Sequence, residues 1–211
     1  MTAIWGPLGW MTLHSTAFAY PDNPTNAERE LMHSWLDMFR DTITCPSCRD
    51  HFTQMLANYR RQFPGMLTNR QEFVLFTFRA HNAVNRRLGK PIQSSVEQCM
   101  DTLRNNVKQT SAKGYRNAYL VHITNHWSLF RDVSGMVAIK KINEMRKIEN
   151  DYVTPRDKNF TIGIPSGVVV LPQDVMVREP GQEPIRRPTL ALNASARAGF
   201  RITSGGIRLR R

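Results

Sequence analysis

The sequence contains few cysteines and no long apolar segment, and each absence excludes a class of protein. Three cysteines among 211 residues are too few for a secreted scaffold held together by disulfides, and an odd number leaves at least one thiol unpaired within a monomer. No apolar stretch of roughly 18 or more residues occurs, so the sequence predicts no transmembrane helix. Residues 1–9 carry neither a basic start nor a cleavable apolar stretch, which favours a protein that is not secreted.

Basic residues outnumber acidic ones, and half of the excess lies near one end of the chain. The 29 Lys and Arg against 17 Asp and Glu give a net charge of +12. Residues 152–211 hold ten basic and four acidic residues, and prolines recur among them. We therefore predict an extended or partly disordered basic tail over 152–211, with one strand-like run from Ile162 to Leu171. Its charge suits nucleic acid or an anionic surface, but no nucleic-acid-binding motif accompanies it, so a solvated tail is the preferred interpretation.

Hydrophobic periodicity predicts helices throughout the first 110 residues. Two helix starts are marked by capping-box patterns at Thr25 and Asn69, each followed three residues later by a glutamate. The predicted helices cover 8–20, Thr25 to Ile43, Pro46 to Tyr59, Asn69 to Gly89, and 95–106. The sequence thus predicts an all-α domain over 1–110, followed by an additional helical segment over 111–151.

The third predicted helix begins with two cysteines, Cys45 and Cys48. Three residues of helix rise by about 4.5 Å and return to nearly the same face, which lies within the Cα separation that a disulfide accepts. The positive end of a helix also stabilises a thiolate. Cys45, at the helix start, is expected to be the more exposed sulfur, and Cys48, on the apolar stripe, is expected to face inward. This arrangement is typical of a redox relay.

Other interpretations of the cysteine pair remain open on the residues alone. The pair could be reduced and idle, or it could bind zinc with His51, although Cys99 and His81 are weak candidates for a fourth ligand. That alternative describes a helical zinc-binding interaction module with a basic tail for nucleic acid or a protein partner. A thioredoxin-type motif requires a βαβ context that the helical pattern does not provide. A c-type haem requires histidine where Arg49 stands.

Four motifs together carry a family resemblance. They are Trp5-Gly6-Pro7-x-x-Trp10-x-x-Leu13-His14, then Tyr20-Pro21 with Pro24-Thr25, then Cys45-x-x-Cys48-x-x-His51-Phe52, and finally His81-Asn82-x-Val84-Asn85-x-x-Leu88-Gly89-Lys90-Pro91. In this order and near this spacing, they resemble the flavin-dependent sulfhydryl oxidase family of the Erv/ALR type over about residues 3–93. The chain also resembles the compact members encoded by large DNA viruses, which favours a viral origin.

The resemblance implies a fold and a reaction. Its fold is a small four-helix bundle with a short fifth helix, which holds FAD at the mouth of the bundle and is usually a homodimer. Its reaction is the oxidation of two protein thiols to a disulfide, with O2 reduced to H2O2. The resemblance therefore implies FAD as cofactor, no metal, a thiol-containing protein as substrate, and O2 as electron acceptor.

The resemblance also implies roles for individual residues. Cys48 would be the flavin-proximal cysteine, and Cys45 would exchange with the substrate. The residues that it places around FAD are Trp10, His14, Tyr20, Cys48, His51, His81, Asn82, Val84, Asn85, Leu88 and Lys90. Among them, Val84 and Leu88 would pack against the rings, and Lys90 would approach the phosphates.

The sequence departs from the family pattern in its cysteines. Cellular members commonly carry a second, structural disulfide and often a shuttle pair on a flexible tail, and neither is present here. Cys99 is therefore expected to be a small buried thiol. Electrons would enter Cys45–Cys48 directly from the substrate or from a separate dithiol relay protein. Such an enzyme is expected to work in the cytoplasm, meaning the host cytoplasm or the virion if the protein is viral.

Overall fold

The protein is all-helical in the part that its structure, a computed structural model, describes: residues 2–126, 128, 134–158, 160–165 and 167–170. The predicted all-α class is confirmed, and no strand occurs among these residues. The helices are α1 Thr2–Ala19, α2 Asn26–Asp41, α3 Pro46–Gln62, α4 Arg70–Arg87, α5 Val96–Asn106, α6 Ala112–Asn125 and α7 Gly135–Ile148. A π-helical turn, Glu149–Val153, and a 3-10 turn, Thr154–Arg156, follow α7. No described helix is long and apolar enough to cross a membrane.

Capping residues set the helix ends that the sequence marked. The Thr25 hydroxyl accepts a hydrogen bond from the Glu28 amide, and the Glu28 carboxylate accepts one from the Thr25 amide at 2.9 Å. The Asn69 side chain caps α4 by accepting from the Glu72 amide. Gly89 follows the end of α4 with φ +63°, a left-handed conformation that a residue with a side chain rarely adopts. The predicted starts of α2 and α4 and the stop at Gly89 are therefore confirmed.

Helix α1 begins earlier than predicted. The predicted start at residue 8 placed Pro7 at the edge of the helix, but the helix starts at Thr2 and contains Pro7. Pro7 lies close enough to the helix start that its missing N–H removes a single intrahelical hydrogen bond. Trp5 and Leu8, on either side of it, pack against the hydrophobic core. This packing accounts for the additional helical turn.

Helices α6 and α7 pack against α1 and α2 and reach the end of α2. The fully buried Tyr119 of α6 comes close to Gly9 of α1, where a Cβ would lie 3.5 Å from the tyrosine ring. Its hydroxyl lies 3.1 Å from that of Thr42, and Lys141 of α7 forms an ion pair with Asp41. The additional helical segment thus contacts the turn that leads from α2 to Cys45.

A buried arginine joins α6 to the turn after α7. The Arg116 side chain is only 1% exposed, and its Nε donates to both carboxylate oxygens of Glu149 at 2.9 Å. Its Nη2 pairs with Asp157 at 3.1 Å, and the Thr154 hydroxyl donates to Glu149 at 2.8 Å. A buried charge without such partners would be strongly unfavourable, so this network fixes how α6 meets the turn.

The first residues of the predicted tail are folded into the core. Residue 152 lies within the π-helical turn, and Tyr152, Val153, Phe160 and Val170 all belong to the hydrophobic core. The strand predicted from Ile162 to Leu171 is wrong for the residues described there, which form no strand and include a turn at Gly167. Residues 171–211, with most of the predicted basic tail, lie outside the described residues.

The Arg116 network gives a prediction on stability. Replacing Glu149 by alanine leaves a buried guanidinium with one remaining carboxylate partner, so we expect Glu149→Ala to lower the free energy of unfolding by about 3 kcal/mol. The matched control is Asp101→Ala, which breaks an exposed ion pair with Arg104 and is expected to cost less than about 1 kcal/mol. Denaturant unfolding of both variants measures the difference, and equal effects would contradict it.

Candidate functional site

The two cysteines of the motif form a disulfide at the start of α3. Cys45 is the N-cap residue, Pro46 follows at the first helical position, and the Cα atoms of Cys45 and Cys48 lie 5.2 Å apart. The Cys45 sulfur also lies 3.4 Å from the amide nitrogen of Cys48, which donates to it. When the pair is reduced, this amide and the positive end of the helix stabilise a thiolate at Cys45.

The two sulfurs have different surroundings. Cys48 packs against the hydrophobic core and lines a cavity of about 590 Å³. Cys45 lies outside the cavity wall, beside the exposed Ser47, whose hydroxyl is 3.5 Å from the Cys45 sulfur. Both cysteines are partly buried, and the disulfide joins a sulfur in the cavity wall to one beside the exposed Ser47. That Cys45 is the more exposed of the two sulfurs stays a prediction.

The cavity brings together most of the predicted cofactor residues. The predicted residues in its wall are Trp10, His14, Cys48, His51, His81, Val84, Asn85, Leu88 and Lys90. They come from α1, α3, α4 and the start of the loop after α4, so the motifs that are distant in sequence meet at one place. A cavity of this volume lies within the range of roughly 300–1,000 Å³ that is typical of ligand sites.

Two predicted cofactor residues lie elsewhere. Tyr20 is fully buried in the core, where its hydroxyl donates to the Leu67 carbonyl at 3.0 Å and burial raises its pKa to about 12. Asn82 is also fully buried, and its amide bonds to the backbone of Gln93 and Val170. Neither residue lines the cavity.

The cavity wall also contains residues that the sequence did not predict to surround the cofactor. They include Trp5, Phe39, Phe78, Arg87, Gln93 and Cys99. Two of these residues could have been found from the sequence, because Trp5 belongs to a quoted motif and Arg87 precedes Lys90 by three residues. Phe39 and Cys99 fit the apolar stripes of their helices and are indistinguishable by sequence from ordinary core residues.

A chain of hydrogen bonds runs from α4 through α1 and back to the cavity. The Thr77 hydroxyl donates to the Val74 carbonyl at 2.8 Å, so it can only accept from Nδ1 of His14, 2.9 Å away. A neutral His14 then carries no proton on Nε2, which accepts from Nδ1 of His81 at 3.0 Å. When both imidazoles are neutral, each carries its proton on Nδ1.

Burial keeps both histidines neutral. Desolvation lowers the pKa of His14 well below its ordinary value, and a charge on His81 would lower it further. Desolvation, followed by the nearby Lys90, lowers the pKa of His81 to about 4. Trp10 stacks on the His81 ring with centroids 4.2 Å apart. The site thus presents a rigid, uncharged aromatic wall at neutral pH.

The wall offers hydrogen-bonding ring nitrogens and positive charge to an occupant. Trp5 Nε1 and His51 Nδ1 are buried and have no hydrogen-bond partner within the described part of the chain. Such groups are rare in folded proteins and indicate a ligand or water. Arg87 and Lys90 add two cations to the wall, which suits an anionic molecule.

The described residues do not provide the set of ligands that the alternative zinc site requires. The sulfurs of Cys45 and Cys48 are joined to each other, and His51 contributes to the cavity wall. No group of three or more His, Cys, Asp or Glu side chains that could hold a metal ion occurs among the residues described.

The first half of the chain is similar to known proteins. Residues 8–114 match the model of the Erv1/Alr family. The chain is 37% identical over 93 residues to an FAD-linked sulfhydryl oxidase of African swine fever virus, covering 44% of this chain and 75% of that protein. It is 36% identical over 92 residues to protein 347L of Invertebrate iridescent virus 6, covering 42% and 83%. It is 35% identical over 88 residues to the FAD-linked sulfhydryl oxidase ERV1 of Oryza sativa, covering 41% and 43%. No solved structure matches the chain.

The neutral histidines predict a dependence of stability on pH. His81 has a pKa of about 4 in the fold against 6.5 when unfolded, so below pH 6.5 the unfolded chain binds a proton that the folded chain does not. The free energy of unfolding should therefore fall as the pH drops from 6.5 to 4, by about 3 kcal/mol from His81 alone. Denaturant unfolding at several pH values measures this slope.

The matched variants for this slope are His81→Phe and His126→Phe. His81→Phe keeps an aromatic ring against Trp10 and should make the slope shallower. His126 is exposed and lies outside the cavity wall, so its replacement should change the slope much less than His81→Phe does. Parallel slopes for the wild type and His81→Phe would show that the His81 ring is not held neutral.

Proposed function

The chain belongs to the Erv1/Alr family, and from that membership we propose that it is an FAD-linked thiol oxidase that forms disulfides in protein substrates. The observation that carries the proposal is the Cys45–Cys48 disulfide, which has one sulfur near the surface and the other in the wall of an aromatic cavity. A disulfide in this position can accept electrons from outside the fold and deliver them inside it.

The cavity fits FAD by its chemistry. Trp10 and His81 present stacked rings, and Val84 and Leu88 add apolar surface. The wall also contains the unpartnered ring nitrogens described above. Lys90 and Arg87 supply the positive charge that a diphosphate requires. The residues that would hold FAD are thus Trp10, His14, Cys48, His51, His81, Val84, Asn85, Leu88 and Lys90. Tyr20 and Asn82 would support this wall from outside it.

The helices around the cavity suggest which part of the fold holds the flavin. Helices α1 and α4 pack together, as do α2 and α3, and α5 contributes Cys99 and Leu103 to the wall. We assign α1–α4 as the bundle that holds FAD and α5 as the short fifth helix.

The reaction follows from thiol–disulfide exchange. A substrate thiolate attacks the Cys45 sulfur, the Cys45–Cys48 bond breaks, and Cys48 leaves as a thiolate next to the cavity. A second substrate thiolate then attacks the mixed disulfide, which releases the substrate disulfide and leaves Cys45 reduced. Two thiols have lost two electrons and two protons, and the cysteine pair now holds the electrons. When bound, FAD supplies the two-electron oxidation of the pair and the reduction of O2 to H2O2.

The Cys45 sulfur is accessible to a protein substrate. Cys45 is half-buried and flanked by the exposed Pro46 and Ser47, so a flexible cysteine-containing segment can approach it. We propose that the electron donor is a protein dithiol, either the final substrate or a separate relay protein, because the sequence contains no second cysteine pair. The homodimer and the cytoplasmic location remain predictions, and sedimentation of the purified protein tests the first.

Replacing Cys48 tests the proposed function. Serine cannot form the disulfide, so Cys48→Ser should abolish dithiol-dependent O2 consumption while the flavin absorbance of the purified protein persists. The matched control is Cys99→Ser, which should retain activity because burial raises the pKa of the Cys99 thiol to about 12 and keeps it unreactive. A wild-type protein that binds no flavin would refute the proposal, as would full activity in Cys48→Ser.

A further inference from the structure

Residues 160–165 and 167–170, here called the strap, lie along α4 and α5 and include a turn in which the Val168 amide donates to the Pro165 carbonyl. Its two buried ends are Phe160 and Val170, at 3% and 0% exposure. The Phe160 ring meets the ring of Phe18 edge to face, with centroids 5.0 Å apart. Both ends of the strap are therefore buried in the hydrophobic core.

Side chains of the two helices hold the strap by its backbone carbonyls. The donors on α4 are Gln71 to Gly163, Arg79 to Val169 at 3.0 Å and Asn82 to Val170 at 3.1 Å, and the donor on α5 is Arg104 to Phe160 at 3.0 Å. These bonds replace the ladder that a strand partner would provide. The strap runs in the same direction as α4, because its residue numbers rise with those of their partners.

Asn82 connects the strap to the loop between α4 and α5. Its Oδ1 accepts from the Gln93 amide at 3.0 Å, and its Nδ2 donates both to the Gln93 carbonyl at 2.8 Å and to the Val170 carbonyl at 3.1 Å. A backbone N–H can only donate and a carbonyl can only accept, so these partners fix the orientation of the amide. All three bonds are made by one fully buried side chain.

The same loop completes the cavity. Lys90 and Gln93 lie in the cavity wall, and Lys90 also caps α4 through its amide, which donates to the Asn85 carbonyl at 2.8 Å. Residues 88–92 are exposed, whereas Gln93 is partly buried, so the Asn82 clamp is the inner attachment of the loop. The contacts that position the Asn82 side chain therefore also determine the distance between the loop and the cavity.

We propose that the strap is a positioning element for the cofactor site: through Asn82, the seated Val170 holds the α4–α5 loop where Lys90 and Gln93 close the cavity. The proposal rests on the proposed function for the identity of the occupant and on the contacts above for the mechanism. It assigns Asn82 and Val170 to the site although neither touches the cavity, and it gives residues outside the matched range 8–114 a part in cofactor retention.

A matched pair of variants tests the strap without altering Asn82. Val170→Ala and Val169→Ala delete the same two methyl groups, but Val170 is buried and Val169 is 56% exposed. Native-state hydrogen exchange on the full-length holoprotein should show a protected Gln93 amide. Val170→Ala should speed exchange at Gln93 by about tenfold, with the amides of α2 unchanged, and Val169→Ala should not. Val170→Ala should also speed FAD release.

A second variant and the other outcomes complete the test. Asn82→Ala removes the clamp itself and should speed Gln93 exchange at least as much as Val170→Ala. An unprotected Gln93 amide in the wild type, or equal exchange in the two valine variants, would overturn the proposal. Faster exchange throughout the helices in Val170→Ala would also overturn it, because the strap would then contribute only to global stability. If the wild type carried no flavin, the proposed function would fail, and the exchange measurements would still decide the role of the strap.

Discussion

Helix α4 is buried on nearly every side, and this burial is the constraint on which the rest of the structure depends. A polar side chain on a buried helix must find its partner within the protein. His81 finds one in His14 on the cavity side. Asn82, about 100° further round the helix, finds its partners in the following loop and the strap. Two adjacent polar residues thus make the contacts on two faces of α4. His81 contributes to the cavity wall, and Asn82 binds the loop and the strap behind it.

The additional helical segment is tied to the redox pair in a similar way. Thr42, three residues before Cys45, donates its hydroxyl proton to the Phe39 carbonyl, so the Tyr119 hydroxyl must donate to Thr42. Phe39 itself lines the cavity and packs against the Tyr119 ring. A single residue of α6 therefore contacts both the cavity wall and the turn that leads to the disulfide. Although α6 and α7 lie largely outside the family match, they belong to the same core.

The structural features that the sequence predicted correctly are those that depend on residues close together in the chain. The caps of α2 and α4, the turn at Gly89 and the disulfide spacing depend on residues a few positions apart, and the structure agrees with each. The strand from Ile162 was wrong because a run of β-branched apolar residues shows only a local preference, whereas strand pairing depends on distant partners. The family resemblance placed both His81 and Asn82 around FAD, but neighbours on a helix point in different directions, and only the tertiary structure shows which one lines the cavity.

The scarcity of cysteine has a physical consequence for the redox site. Cys99 lines the same cavity as Cys48, and a reactive third thiol there could attack the disulfide and trap the pair. Exchange requires a thiolate, and desolvation raises the pKa of Cys99 to about 12, so this thiol stays protonated at neutral pH. Cys45 and Cys48 instead lie at a helix start, where the backbone stabilises a thiolate. The position of each sulfur on its helix, rather than its distance from the cavity, therefore decides which cysteines take part in exchange.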